Sequence, residues 1–173
     1  MTVPNRPVRT SATLASPASP LYLREDEIRR GIELLYFGYT AMVREADAIL
    51  AHEGFGRAHH RALYFIARRP GLPVGELLRL LGITKQSLGR VLGELQDKAL
   101  VEQRIGSADR RQRLLSLTDA GLLLESALFS ELQKSMAAAY GEAGQNAVTG
   151  FWSVLIGLIK REDRPLVESL RHG

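Results

Sequence analysis

The chain of 173 residues contains no cysteine. Disulfides, thiolate metal sites and a redox switch built on a sulfenate are therefore excluded, and a reducing cytoplasm is the expected compartment. Aromatic residues make up only 6% of the sequence, against 45% for all hydrophobic residues. Such a core has to be built from Leu and Ala on helices. Long apolar runs are also missing. The longest, Phe151 to Ile159, is too short to span a bilayer as a helix, so no membrane partner is expected. Nor does a basic start lead into an apolar signal segment, which gives no indication of secretion. Catalytic signatures are missing as well: there is no Gly-x-Ser-x-Gly elbow, no P-loop and no dinucleotide glycine fingerprint after a strand. An enzyme is not expected. The neighbours His59 and His60 would face about 100° apart on a helix. With His52, they have no cysteine and no carboxylate at metal-ligand spacing, so neither a metal nor any other cofactor is expected.

What is present is an uneven charge. The net charge is only +4, yet residues 57–113 hold 12 Lys and Arg against 5 Asp and Glu. The rest of the chain is acidic on balance. A basic segment inside a near-neutral chain suits phosphate binding, and a solvated basic surface is the plain alternative.

Residues 1–20 carry four prolines among Ser, Thr and Ala and read as an irregular N-terminal tail. Arg6 and Arg9 would serve if that tail were instead an arm reaching DNA. Three-to-four spacing of Ile28, Ile32, Leu35, Tyr39, Met42, Ala46 and Ile49 predicts a long helix from about Leu23 to about Glu53. Further helices are predicted over 57–68 and 74–81, separated by the Arg69–Pro73 breaker. A fourth follows over 85–98, with Thr84 as its N-cap and Leu88, Val91, Leu92 and Leu95 as its inward stripe. Two extended runs, 101–105 and 113–118, read as a β-hairpin around a polar linker. Thr118 caps a helix running to about Tyr140. A break at 141–144, a sixth helix over 145–160 and a short last segment over 165–170 complete the chain.

Helix, tight turn at Gly82, second helix and basic hairpin in that order form a winged helix-turn-helix, placed at about Arg57 to Gly121. The expected class is mainly α with a small β-hairpin wing. The expected division is a tail over 1–20, a winged DNA-binding domain over 57–118, and a helical dimerisation region from 21–56 and 119–173. With the leucine stripe inward, Gln86, Arg90 and Gly93 point outward on the second helix. Gln86 suits adenine and Arg90 suits guanine in a major groove. Thr84, Lys85 and Ser87 sit at the helix N-terminus, where amides and the dipole favour phosphate. Gly89 and Gly93 cost about 1 kcal/mol each relative to Ala, which is sensible on a face that must approach DNA closely. Arg104, Arg110, Arg111 and Arg113 make the hairpin basic, suited to a narrow minor groove. Asp109 repels phosphate and is expected to orient a neighbouring arginine.

These stretches carry a resemblance. The run Leu77 to Leu88 (LLRLLGITKQSL) continuing to Leu95, then Leu100-Val101-Glu102, then Asp109-Arg110-Arg111, then Leu117-Thr118-Asp119-Ala120-Gly121, resembles the MarR family of bacterial transcription regulators over roughly Ile28 to Lys160. The resemblance implies a homodimer with intertwined terminal helices and a pseudo-palindromic operator. It also implies a repressor released by a small aromatic or anionic ligand. Two positions depart from the family pattern: Ala99 stands where Gly is frequent, and Gln103 where Arg is frequent.

Leu21, Leu23, Phe151, Trp152, Leu155 and Ile159 would leave a large apolar patch on a monomer, which argues for a dimer independently. Tyr36, Tyr39, His60 and Tyr64, together with His59 and Arg61, are candidates for an effector pocket, or simply for seam packing. A winged helix also serves elsewhere as a protein- or RNA-interaction module without an operator. The basic helix-plus-wing face favours double-stranded DNA.

Overall fold

A computed structural model describes residues 19–107 and 109–172, with side chains through Leu170. The tail with Arg6 and Arg9 lies outside the described residues. The chain divides into two compact units, Met1–Tyr39 and Thr40–Gly173. Among the described residues, no helix is long and apolar enough to cross a membrane.

In the first unit, Ser19 caps a 3-10 turn, Pro20–Leu23. Helix α1, Glu25–His52, then starts with Glu25, Asp26 and Glu27 in its first turn, where acidic charge complements the helix dipole. The Ile28, Ile32, Leu35 and Tyr39 stripe is exposed, Ile32 at 63%. Amphipathic periodicity identified the helix; it did not say which surface would cover the stripe. Further along α1 the buried residues are Val43, Ala46 and Leu50. The buried row there runs through Val43 and Leu50 instead of Met42 and Ile49, which are only half-buried.

The second unit holds the main core. Helix α2, Arg57–Arg68, is followed by α3, Val74–Leu81, and α4, Lys85–Asp97. Ala62, Leu63 and Ile66 of α2 pack with Leu77 and Leu81 of α3 and with the full α4 stripe Leu88, Val91, Leu92 and Leu95. Gly82 closes α3 in the left-handed conformation (φ 60°, ψ 31°), the backbone geometry glycine adopts without strain. The tight turn this permits sets α4 against α3.

The expected two-stranded hairpin is a three-stranded antiparallel sheet. Strands β1, Leu72–Pro73, β2, Val101–Ile105, and β3, Arg113–Leu117, lie in the order β1-β3-β2. Read as a simple breaker, Arg69–Pro73 concealed β1, because two residues carry no alternation to detect. Leu72 pairs with Leu115, both fully buried, and the Gly71 N–H donates to the Leu115 carbonyl at 2.8 Å. Proline is tolerated in β1 because this is an edge strand.

The passage from α4 to β2 is sharp. The Leu100 N–H donates to the Leu95 carbonyl and the Ala99 N–H to the Gln96 carbonyl (2.9 and 2.8 Å), the paired closure of a Schellman motif. That motif needs a left-handed residue, and the residue is Ala99 at φ 54°. The departure from glycine noted in the sequence thus falls on the one non-glycine residue with positive φ among the described residues. Thr118 ties the far end of the sheet to the same place. Its hydroxyl donates to the Ala99 carbonyl at 2.7 Å, and its N–H donates to the Leu100 carbonyl at 3.1 Å. The same hydroxyl oxygen accepts the Gly121 N–H as the N-cap of α5, Asp119–Ala143. A Cβ on Gly121 would stand 2.0 Å from the Leu100 oxygen, so no larger residue fits.

Helix α5 continues through Gly141 and ends at Gly144 (φ 78°). The break is therefore one residue, not a four-residue region. Helix α6, Gln145–Leu158, has no buried residue, and the Trp152 indole N–H donates to the Tyr140 hydroxyl at 2.9 Å. Helix α7, Arg164–Glu168, leads into a 3-10 turn, Ser169–His172. There the Leu170 carbonyl accepts from the Arg68 guanidinium of α2.

Two substitutions at the α4–β2 joint should act with opposite sign. Ala99→Gly relieves a left-handed alanine and should raise unfolding free energy by about 0.5–1 kcal/mol, the net of strain relief and a more flexible unfolded chain. Gly121→Ala should lower it by about 3 kcal/mol through backbone overlap. Urea denaturation of both variants checks this; a destabilised Ala99→Gly or a neutral Gly121→Ala contradicts the geometry.

Candidate nucleic-acid interface

Helix α4 carries the reading face. The Thr84 hydroxyl oxygen accepts the Ser87 N–H at 3.1 Å, and its proton goes to the Ser87 hydroxyl at 2.9 Å. This cap fixes the first turn without covering it. Thr84, Lys85 and Gln86 are exposed and Ser87 is half-buried. Arg90 stands one turn further on with its side chain 77% exposed. Four of the five candidates are thus open to solvent, and of these Gln86 and Arg90 lie on the side of α4 opposite the leucine stripe. Ser87 is drawn into the cap and offers less.

Gly89 and Gly93 lie on this helix with open space where a Cβ would be. Packing within the protein does not require either glycine. The same openness surrounds six other helix glycines, Gly31, Gly38, Gly75, Gly141, Gly150 and Gly157, so space alone does not single these two out.

The wing loop is built around Asp109. Its carboxylate oxygen accepts the Arg111 N–H at 2.9 Å, and its carbonyl accepts the Gln112 N–H at 3.0 Å. Residues 109–112 therefore form a β-turn with Asp at the first position, where its side chain mimics a backbone acceptor. Arg110 and Arg111 occupy the two central positions and are exposed. Asp109 thus meets Arg111 through that residue's backbone N–H. Gly106 is required inside the loop, since a Cβ there would meet the Asp109 carbonyl oxygen at 2.8 Å.

The four wing arginines do not converge on one face. Register places Arg104 opposite Leu114 and Arg113 opposite Ile105. Neighbouring positions on a strand point to opposite faces, so Arg104 and Arg113 lie on different sides of the sheet, with Arg110 and Arg111 at the turn. Arg104 is also engaged by Glu102, two residues back on its own strand, at 2.9 Å. Sequence counting treated the four as equivalent because strand alternation and the Glu102 pairing appear only once the register is known.

Of the effector candidates, Tyr36 and Tyr39 are exposed in the first unit, where the Tyr36 ring meets Phe37 edge-to-face at 5.3 Å. In the second unit His60 is buried, and burial holds its imidazole below the ordinary value, with nearby Asp47 opposing that shift. Tyr64 is half-buried beside Phe129 of α5 at 6.5 Å. His60 and Tyr64 are one turn apart on α2. His59 is engaged elsewhere: its ring stacks on Phe55 at 4.7 Å and bonds to Glu94 of α4 at 2.6 Å. Sequence reasoning missed Glu94, which sits four residues after Arg90 and was legible only as an ordinary helix-surface acid.

A family model described as the MarR family matches residues 53–112, the stretch from the end of α1 to the wing turn. The HTH-type transcriptional regulator PetP of Rhodobacter capsulatus is 48% identical over 135 residues, covering 78% of this chain and 81% of the relative. The chain belongs to the MarR family. As a member it is a DNA-binding transcription regulator and not an enzyme. Solved structures agree in fold. A mutant MarR from E. coli complexed with operator DNA has a TM-score of 0.62 at 20% identity, covering 82% of this chain and all of that one. NadR in complex with 4-hydroxyphenylacetate has a TM-score of 0.65 at 23% identity, covering 86% and 98%.

The two α4 glycines give a direct test of close approach. Gly89→Ala should stabilise the protein by up to about 1 kcal/mol while weakening DNA binding severalfold or more. Thermal unfolding and a binding titration on the same sample separate the two effects. A variant that is more stable and binds equally well would show that the space over Gly89 is not used.

Proposed function

We propose that this regulator binds a pseudo-palindromic operator as a homodimer and represses transcription. In this reading α4 enters the major groove and the wing turn reaches the adjacent minor groove. The observation that carries it is the open face of α4: capped, backed by leucines, lined by Lys85, Gln86 and Arg90, and bearing glycines that nothing inside the protein demands. Gln86 and Arg90 read bases. Thr84, Lys85 and Ser87 position the helix on phosphate. Arg110 and Arg111 contribute wing charge, with Asp109 shaping the turn; Arg113 and the Glu102-paired Arg104 add less.

Dimerisation is supported separately by each unit. Leu23 is 66% exposed in the first, and α6 leaves Phe151, Trp152, Val154 and Leu158 exposed in the second. Apolar surface on this scale calls for a partner, and a two-fold site calls for a two-fold protein. A small aromatic or anionic effector is the proposed modulator, supported by the bound ligand of the NadR structure. His60 and Tyr64 are its candidate contacts in the second unit, and Tyr36 and Tyr39 in the first. The cytoplasm is the proposed location.

The test begins with DNA selected from a random-sequence pool. Binding to the recovered duplex should weaken linearly in log Kd against log salt, as counterion release requires. Arg111→Ala should weaken binding to most sequences and reduce the salt slope by about 1. Arg90→Ala should relax preference at particular base pairs, by about 1–3 kcal/mol of discrimination. Salt-insensitive binding, or no recovered consensus, would defeat the operator reading.

A further inference from the structure

His59 lies on α2, away from the reading face, and is 8% exposed. Both of its ring nitrogens are engaged. Nδ1 accepts the Gly56 N–H at 3.1 Å, so it carries no proton. The proton is therefore on Nε2, which faces Glu94 Oε2 at 2.6 Å and donates to it. The tautomer is fixed by the start of α2, because the same Gly56 N–H is an unsatisfied donor of that helix's N-terminus. Phe55 stacks on the ring at 4.7 Å, nearly parallel at 26°, and removes its remaining rotational freedom.

The other oxygen of Glu94 is directed differently. Oε1 stands 3.8 Å from Arg90 Nε, one helical turn back. The carboxylate is thus divided between a rigid buried imidazole and the exposed arginine of the reading helix. A surface pair of this kind, with Glu94 free to rotate, would hold Arg90 only weakly. Here one end of the carboxylate is anchored, so the ordering of Glu94 is already provided by the fold.

We propose that His59 is a positioning residue for sequence selection: by anchoring Glu94, it restrains the Arg90 guanidinium before DNA arrives. A pre-oriented arginine offers its fork to a base edge in one geometry and discriminates more sharply than a free one. The proposal rests on the reading of Arg90 as a base contact.

His59→Gln is the informative variant. Glutamine at this position in a helix can still accept the N-terminal N–H, so α2 keeps its cap, but one side chain cannot also serve Glu94. Glu94→Ala removes the restraint from the other side. Each variant is measured against the duplex selected from a random pool and against its single-base variants. Thermal unfolding is followed in parallel. The expected result is a loss of discrimination of about three- to tenfold, confined to the base pairs at which Arg90→Ala acts. In an Arg90→Ala background, His59→Gln should then change discrimination no further. Unchanged selectivity in His59→Gln, a uniform loss over all sequences, or an equal effect with and without Arg90 overturns the proposal. If Arg90→Ala itself leaves base preference intact, the groove assignment falls and this inference falls with it. If Arg90→Ala acts and His59→Gln does not, only the positioning role is lost.

Discussion

The Leu100 carbonyl is the point on which the DNA-facing geometry depends. It accepts the Thr118 N–H, and the backbone of α5 passes so close to it that Gly121 has no room for a Cβ. The end of α4, the start of β2, the end of β3 and the start of α5 therefore meet within a few ångströms. A reading helix and a wing can engage neighbouring grooves only if the angle between them is fixed. Here the fixing element is made of backbone groups and one threonine hydroxyl, which both donates to Ala99 and caps α5. It sits at the C-terminal end of α4, away from the first turn that carries Lys85 and Gln86. The Leu-Thr-x-x-Gly pattern is the sequence record of this junction.

Electrostatics then acts on a scaffold already set. The basic surplus of residues 57–113 is less uniform than a count of charges implies. Arg57 is paired with Asp47 at 2.8 Å and Arg69 with Glu76 at 2.7 Å. Both contacts belong to the architecture, and both arginines are only partly available to a polyanion. The exposed charge includes Lys85 and Arg90 on α4 and Arg110 and Arg111 on the turn, together with Arg61, Arg79, Lys98 and Arg113. Exposed charges contribute little to folding stability and much to association with phosphate. Arg57 and Arg69 are thus committed to the architecture, whereas Arg90 stays exposed beside Glu94.

Helix boundaries were legible to within a few residues wherever a cap or stop stood in the sequence. Thr84, Gly82, Thr118 and the α4 leucine stripe each announced their role, because capping and periodicity are local. What depends on residues far apart was not legible. Strand β1 has two residues and exists only through its pairing with Leu114 and Leu115. The faces of Arg104 and Arg113 follow from β2–β3 register. The contact between His59 and Glu94 joins residues 35 positions apart, and no periodicity signals it. The exposed stripe of α1 is the converse case. Its pattern was read correctly as helical, yet a pattern says only that a face is apolar, not what covers it.

Glycine makes the same distinction in its sharpest form. Gly106 and Gly121 are fixed from inside: adding one carbon would collide with a carbonyl oxygen. Gly89 and Gly93 meet nothing within 4 Å of a Cβ, and each weakens the helix it sits in. A sequence shows four identical letters. Only the surroundings separate Gly121 at the joint and Gly106 in the wing loop from the two on α4 that lower stability with no internal return. A residue that costs stability and satisfies nothing within the fold is where function is most directly visible. Eight helix glycines have that openness, and Gly89 and Gly93 are the two that fall on the helix whose outer face carries Gln86 and Arg90.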